Sequence, residues 1–165
     1  MDHRDDSDPN HQSLETSGRF NWDAMHKVWA STSAGGVLVI EENTIKHYPQ
    51  TESIQDAMIT CMLERSPAET WIGTYGQGLF EISEEGIHRP SGIDLPATLN
   101  GDGMVYSMIL DGAGGLYVGT WGQHVYHLPK EGAPYRLAEE VENRTVLTRV
   151  LAIDQEGTLW SGIIY

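Results

Sequence analysis

Hydrophobic positions along the chain recur in short runs that alternate large and small side chains. The clearest run, Leu116 to Thr120, has Leu, Tyr, Val, Gly and Thr in succession, which is typical of a β-strand with two different faces. An Asp-Gly pair at 111–112 precedes it and a glycine-containing segment follows it, and both are signals for tight turns. This order of turn, strand and turn predicts β-hairpins.

The same pattern occurs four times, with an aromatic residue at one fixed position. The four aromatic residues are separated by 42, 46 and 43 positions; they are Trp29, Trp71, Tyr117 and Trp160. A period of about 40–50 residues is typical of a four-stranded propeller blade. An acidic residue lies six or seven positions before each of them, namely Asp23, Glu64, Asp111 and Asp154. We expect each aromatic side chain to be buried between blades, in the second strand of its hairpin.

One stretch of the second copy also fits a helix. Helical spacing relates Ile54, Ala57, Met58, Cys61 and Met62. The aligned stretches 104–110 and 148–153 are rich in β-forming residues and end at an Asp-containing turn. The repeat therefore predicts a strand in the second copy too, with Cys61 as a buried, unreactive thiol.

These repeats predict an all-β chain that forms an incomplete β-propeller, about three and a half four-stranded antiparallel blades in an open arc. The acidic segment 1–17 has no periodicity and is predicted to be a disordered tail. The blades are predicted at 18–50, 51–98 and 99–140, followed by a half-blade at 141–165. Strands are expected near 59–63, 70–74, 79–82, 105–110, 116–120, 125–128 and 148–153.

An arc of this length is expected to stay open, because propellers close with about four to eight blades. Its last segment, 158–165, is apolar and carries no charge, and such strand edges pair readily with other chains. We therefore expect the remaining blades or another protein chain as partners, or self-association.

The charge of the chain excludes several classes of partner. There are 24 acidic and 10 basic residues, a formal net charge of -14, which disfavours nucleic acid and anionic membrane surfaces. No apolar run approaches the roughly 18 residues of a membrane span, and no secretory signal is visible. The single cysteine excludes an internal disulfide and any multi-cysteine metal site.

The segment Asn100–Thr120 resembles the two-component regulator propeller repeat. In that repeat an Asn, a β-strand, an Asp-x-x-Gly turn and a Leu-Trp-x-Gly-Thr strand follow one another, and residues 143–162 match it as well. The second copy departs by one inserted residue within 65–69, and the first is weak before Asp23. The resemblance implies a ligand-binding sensor propeller of bacterial hybrid histidine kinases and related signalling proteins, in a periplasmic or extracytoplasmic region. It also implies ligands such as carbohydrate breakdown products.

Candidate ligand-binding residues follow the Gly-Thr step of the second and third copies. They are Tyr75, Gln77, Trp121, Gln123 and His124. Equivalent positions of adjacent blades gather on one rim, where aromatic faces beside amides suit the C–H faces and hydroxyls of a sugar. Packing of Tyr75 and Trp121 between blades is the alternative.

The sequence shows no catalytic residues, no metal site and no cofactor site. Phosphate-binding and nucleophile motifs are absent, and His124 and His127 would point to opposite faces of one strand. We therefore expect a module without chemistry of its own. A propeller enzyme with a central divalent metal, resembling gluconolactonase-type hydrolases or streptogramin lyases, is the alternative. The acids of the Asp-x-x-Gly turns are explained by local backbone bonding.

Overall fold

Antiparallel sheets make up most of the part of the chain that the computed structural model describes. The described residues are 16–22, 28–32, 36–41, 44–48, 54, 57–66, 68–83, 85–122, 125–137 and 147–164. Within them one short helix occurs, α1 at Ala97–Asn100. The described residues include no helix that is long and apolar enough to cross a membrane.

Each sheet is built from strands that are consecutive in the sequence. Sheet 1 contains β1 (Thr16–Trp22), β2 (Val28–Thr32), β3 (Val37–Glu41) and β4 (Thr44–Tyr48). Sheet 2 contains β5 (Met58–Ser66), β6 (Glu69–Tyr75), β7 (Leu79–Ser83) and β8 (Gly86–His88). Sheet 3 contains β9 (Val105–Leu110), β10 (Leu116–Thr120), β11 (Val125–Leu128) and β12 (Tyr135–Arg136). Sheet 4 contains β13 (Leu147–Ile153) and β14 (Leu159–Ile164).

The predicted strands are confirmed, including the one that competed with a helix. Residues 59–63 belong to β5, which continues to Ser66. In this stretch the chain forms the strand that the repeat predicts and not the helix that the local spacing favours. The strand is stabilised by pairing with β6 along its whole length. The predicted blade boundaries stay predictions, and the predicted tail 1–17 lies outside the described residues except for Thr16 and Ser17 in β1.

Two apolar cores join the sheets into an open arc. The first lies between sheets 1 and 2 and contains Val37, Val39, Ile59, Met62, Ile72 and Phe80, among others. The second lies between sheets 2 and 3 and includes Trp71, Leu79, Val105, Leu116 and Val118. Leu95 and Leu99, from the connection between β8 and β9, complete the second core. Burial of these side chains supplies most of the stabilisation of a fold of this type.

The first strand of sheets 2, 3 and 4 carries a β-bulge near its start. The pairing with the second strand skips one residue in each case: Thr60, Tyr106 and Arg149. A bulge turns the residues on its two sides to opposite faces of the strand. The residue before it is buried in all three sheets: Ile59, Val105 and Thr148.

The burial predicted for the repeated aromatic residues is correct for one position and wrong for another. Trp71 is buried, with 1% of its surface exposed, and Tyr117 is half-buried. Trp160 is 62% exposed, because no described strand packs on its face of sheet 4. The side chain of Trp29 lies outside the described residues.

Candidate ligand-binding site

The Gly-Thr steps of β6 and β10 end at the same rim of the arc. Thr74 and Thr120 are fully buried, whereas the next residues, Tyr75 and Trp121, are 40% and 44% exposed. This follows from strand geometry, because successive side chains point to opposite faces. The Oγ1 of Thr74 donates to the carbonyl of Gly78 at 2.7 Å, which closes the turn that carries Gln77.

Tyr106 brings the two predicted aromatic residues into one row. Its ring centroid lies 6.2 Å from that of Tyr75, edge to face, and 6.2 Å from that of Trp121, in a tilted arrangement. Such separations are typical of favourable aromatic pairs. We call Tyr75, Tyr106 and Trp121 the aromatic row; it crosses from sheet 2 to sheet 3.

Sequence reasoning missed Tyr106. The aligned positions in the neighbouring copies are Thr60 and Arg149, so nothing in the repeat marks this residue. Its position follows from the bulge in β9, which the sequence pattern did not show.

The exposure of the outer residues bears on the alternative of packing between blades. Tyr75 and Trp121 contact Tyr106 from either side and keep two-fifths or more of their surface exposed. Packing between sheets leaves far less exposed, as the 1% of Trp71 shows. The row therefore presents open aromatic surface to the solvent.

The connection between β8 and β9 holds the backbone beneath the row. The amide of Gly78 donates to the carbonyl of Gly103 at 2.8 Å, and the amide of Trp121 donates to the carbonyl of Met104 at 3.0 Å. Gly78 has a φ of +69°, and a Cβ there would overlap the carbonyl of Leu99. Glycine is thus required at this turn both for its conformation and for the close approach of the connection.

Arg89 supports the turn that carries Gln77. Its Nη1 donates to the carbonyl oxygens of Gln77 and Leu79, at 2.6 and 3.1 Å. Its guanidinium lies 4.0 Å from the centroid of the Phe80 ring, and burial lowers the pKa of this arginine. Gln77 itself is half-buried, and Gln123 and His124 lie outside the described residues.

The acids of the two described Asp-x-x-Gly turns bond their own backbone, as the sequence predicted. The Oδ1 of Asp111 accepts from the amides of Ala113 and Gly115, at 2.8 and 2.7 Å. The Oδ1 of Asp154 accepts from the amides of Glu156 and Thr158, at 3.1 and 2.8 Å. Both turns lie at the opposite ends of the hairpins from the aromatic row. Asp23 lies outside the described residues.

The second carboxylate oxygen of Asp111 takes part in a series of side-chain hydrogen bonds across sheet 3. It lies 2.8 Å from Nε2 of His127, whose Nδ1 lies 2.9 Å from the hydroxyl of Tyr135. The His127 ring also stacks on Tyr117, with centroids 4.4 Å apart. Both nitrogens of His127 are thus engaged within the sheet. In the described part of the chain, no group of three or more His, Cys, Asp or Glu residues could hold a metal ion.

The pKa of Asp111 is held below its ordinary value by this network. Burial is the largest single influence and raises the pKa, but the hydrogen bonds from His127 and the two turn amides together outweigh it. The carboxylate is therefore ionised at neutral pH, so that Nε2–H of His127 donates to it.

Consecutive four-stranded antiparallel sheets in an open arc define a partial β-propeller. Two solved structures share this fold: the extracellular domains of the putative hybrid two component systems BT3049 and BT4673 from B. thetaiotaomicron. The TM-score is 0.54 for both, at 14% and 16% identity, over 88% and 93% of this chain. The chain spans about a quarter of their length, 26% in each case.

Sequence comparison adds no relative to these structural matches. No family model matches the chain, and no curated protein shows significant similarity to it.

Proposed function

We propose that the chain is part of the ligand-sensing propeller of a bacterial signal-transduction sensor, and that it binds its ligand without chemical conversion. The observation that carries this proposal is the aromatic row, three rings that cross two sheets at one rim; its outer two members, Tyr75 and Trp121, are 40% and 44% exposed. The structural neighbours support it, because both are extracellular domains of putative hybrid two component systems. The same neighbours support an extracytoplasmic location for this chain.

The ligand that this row fits is carbohydrate-like. Aromatic rings offer apolar faces to the C–H surfaces of sugar rings, and nearby amides offer bonds to sugar hydroxyls. Gln77, two residues after Tyr75, is proposed to supply such an amide. Gln123 and His124, which follow Trp121 in the sequence, are proposed to bond sugar hydroxyls through an amide and an imidazole. The net charge of -14 favours a neutral ligand over an anionic one.

Binding of neutral oligosaccharides tests this proposal. Glucose-, mannose-, xylose- and galactose-based oligosaccharides are titrated into the full chain by isothermal calorimetry, to find a sugar that binds. Trp121→Ala and Tyr106→Ala should then weaken its binding about tenfold or more, as removal of central aromatic contacts does. Trp160→Ala is the matched control, because Trp160 is similarly exposed but lies outside the row.

Two results would contradict the proposal. One is the absence of binding across the whole set of sugars. The other is an equal loss of affinity in the Trp160→Ala and Trp121→Ala variants, which would place the sugar elsewhere. Conversion of the bound sugar to a product would contradict the non-catalytic part alone.

A further inference from the structure

Three side chains of sheet 3 form a series of hydrogen bonds that ends in an exposed hydroxyl. The Oδ2 of Asp111 lies 2.8 Å from Nε2 of His127, and Nδ1 of the same ring lies 2.9 Å from the hydroxyl of Tyr135. The side chains of Asp111 and His127 are largely buried, with 8% and 12% of their surface exposed, whereas Tyr135 is 51% exposed. A carboxylate, an imidazole and a hydroxyl in this order are the arrangement that activates a nucleophile in many hydrolases.

Strand pairing holds the three groups in this order. His127 pairs with Tyr117 of β10 on one side and with Tyr135 of β12 on the other, so the three rings lie side by side on one face of sheet 3. The His127 ring stacks on Tyr117 at 4.4 Å and meets Tyr135 edge to face at 5.2 Å. Asp111 is fixed by its own turn, because its Oδ1 accepts from two amides there. The imidazole is therefore positioned between the carboxylate and the hydroxyl.

The position of the protons on His127 follows from its partners. Burial raises the pKa of Asp111, but the hydrogen bonds that it accepts lower the pKa further, below its ordinary value. The carboxylate is thus ionised at neutral pH and can only accept, so Nε2 of His127 carries a proton. In the neutral form of the ring, Nδ1 is then unprotonated and faces the hydroxyl of Tyr135. The neutral ring therefore places a base at this hydroxyl.

We propose that Tyr135 is a nucleophilic modification site, with His127 as its general base and a neutral, activated acyl ester as the donor. The hydroxyl oxygen of Tyr135 forms a bond to the acyl carbon, and its proton moves to Nδ1 of His127. The bond between the acyl carbon and the leaving oxygen then breaks, and the proton passes from Nδ1 to that oxygen. The products are a tyrosyl ester on the chain and a free alcohol or phenol.

Charge favours this class of donor. The imidazole is positively charged while it holds the transferred proton, and the carboxylate of Asp111, 2.8 Å away, stabilises that form. The same carboxylate and the formal net charge of -14 repel anionic donors such as nucleoside triphosphates. An acyl ester without charge meets no such repulsion. The acyl group is transferred to the chain itself, so the proposal is independent of the sugar proposed for the aromatic row.

Acetylation of the full chain by p-nitrophenyl acetate tests the proposal. Mass spectrometry of peptides measures the rate of acetylation at each tyrosine. Tyr75 is the internal comparison, because its exposed fraction of 40% is close to the 51% of Tyr135 and its ring contacts Tyr106. We expect acetylation of Tyr135 to be about tenfold or more faster, since a positioned general base contributes about 10²–10⁴-fold. In urea, where the fold is lost, the two tyrosines should react at similar rates.

His127→Phe removes the base and keeps an aromatic ring at its position. The rate at Tyr135 should fall about tenfold or more, whereas the rate at Tyr75 should not change, which also shows that the fold is retained. His47→Phe is the matched control, because His47 is exposed on β4. It should leave the rates at both tyrosines unchanged.

Asp111→Asn separates activation of the hydroxyl from a purely structural role. An amide can donate to Nε2 of His127 and so leave the ring proton on Nδ1, where it blocks the base. The rate at Tyr135 should then fall. A purely structural series of bonds predicts the opposite, because loosening of β12 would expose Tyr135 further and raise its rate.

Two results would overturn the proposal. The first is equal acetylation of Tyr135 and Tyr75 in the folded parent chain, a comparison that needs no variant. The second is a rate at Tyr135 that His127→Phe or Asp111→Asn leaves unchanged or raises. The series of hydrogen bonds would then serve only to hold β12 in place.

Discussion

Asp111 shows how one side chain can organise a whole sheet. Its Oδ1 closes the turn between β9 and β10, and its Oδ2 bonds His127 of β11. His127 in turn bonds Tyr135 of the outermost strand, β12. The strand β12 has two residues and pairs with β11, and these side-chain bonds add to that pairing.

We predict that Asp111→Asn destabilises the chain at neutral pH and makes its free energy of unfolding less dependent on pH in the acid range. Because the pKa of Asp111 is lowered by folding, the ionised group stabilises the folded state above the unfolded Asp value of about 3.9. That stabilisation is lost as the pH falls through the lowered folded value. The variant should lose about 1–3 kcal/mol at pH 7 and differ little from the parent at the lowest pH. Urea unfolding across a pH series measures both.

Asp102→Asn is the control for this prediction. The side chain of Asp102 is exposed, and its replacement should shift the unfolding curves far less at pH 7. If Asp111→Asn still lowers the free energy of unfolding by the same amount below the pH at which Asp111 becomes protonated, the ionised carboxylate is not the cause. Packing of the side chain would then explain the lower stability.

At the scale of the elements, the second strand of each sheet has an aromatic residue at the same position, but the burial of that residue differs between sheets. Trp71 on β6 is enclosed by sheet 3, and its Nε1 donates to Glu69 Oε1 at 2.5 Å. Arg65 crosses to sheet 3, where its Nη2 donates to the carbonyl of Gly114 at 3.0 Å. Trp160 on β14 has no described sheet over it and donates its Nε1 to Asp154 at 2.7 Å.

We predict that Trp71→Ala lowers the free energy of unfolding by about 3–5 kcal/mol, as other large truncations in a core do. Trp160→Ala should change it by less than about 0.5 kcal/mol, because an exposed side chain buries little surface. Chemical denaturation of the two variants measures the difference. Equal losses of unfolding free energy in the two variants would contradict this prediction. They would mean that the contribution of this aromatic residue to stability does not depend on the sheet that covers it.

The sequence predicted the strands well because the repeat supplied several copies of one pattern. The stretch 54–62 illustrates this, since its own spacing favours a helix and only its aligned copies indicate β5. Burial could not be predicted in the same way. Trp71 and Trp160 occupy equivalent positions, and their exposure depends on which sheet lies next to them. The bulge in β9, and with it Tyr106 in the aromatic row, also left no mark in the alternation of residue types.

At the scale of the whole molecule, charge opposes folding. A formal net charge of -14 on 165 residues repels itself more strongly in the folded chain than in the expanded one. Raising the NaCl concentration from about 20 to 200 mM shortens the range of this repulsion. We expect the melting temperature to rise by about 2–4 °C, the shift that about 1 kcal/mol produces in a chain of this size.

The same salt series close to the isoelectric point, about 4.7, is the control. With little net charge left to screen, the melting temperature should hardly respond. An equal rise at both pH values would assign the salt effect to apolar burial instead.

The contact between sheets 2 and 3, and the one between sheets 3 and 4, have a consequence for how such a chain evolves. In each, a β-branched residue before a bulge, Val105 or Thr148, lies over a glycine of the preceding sheet, Gly73 or Gly119. The glycine and the β-branched residue are the two halves of one contact. A unit that carries both halves can be copied, lost or exchanged by recombination, and its new neighbours still find a matching partner. Selection is then free to diversify the rim residues of each unit, such as Tyr106, without altering the contacts between the sheets.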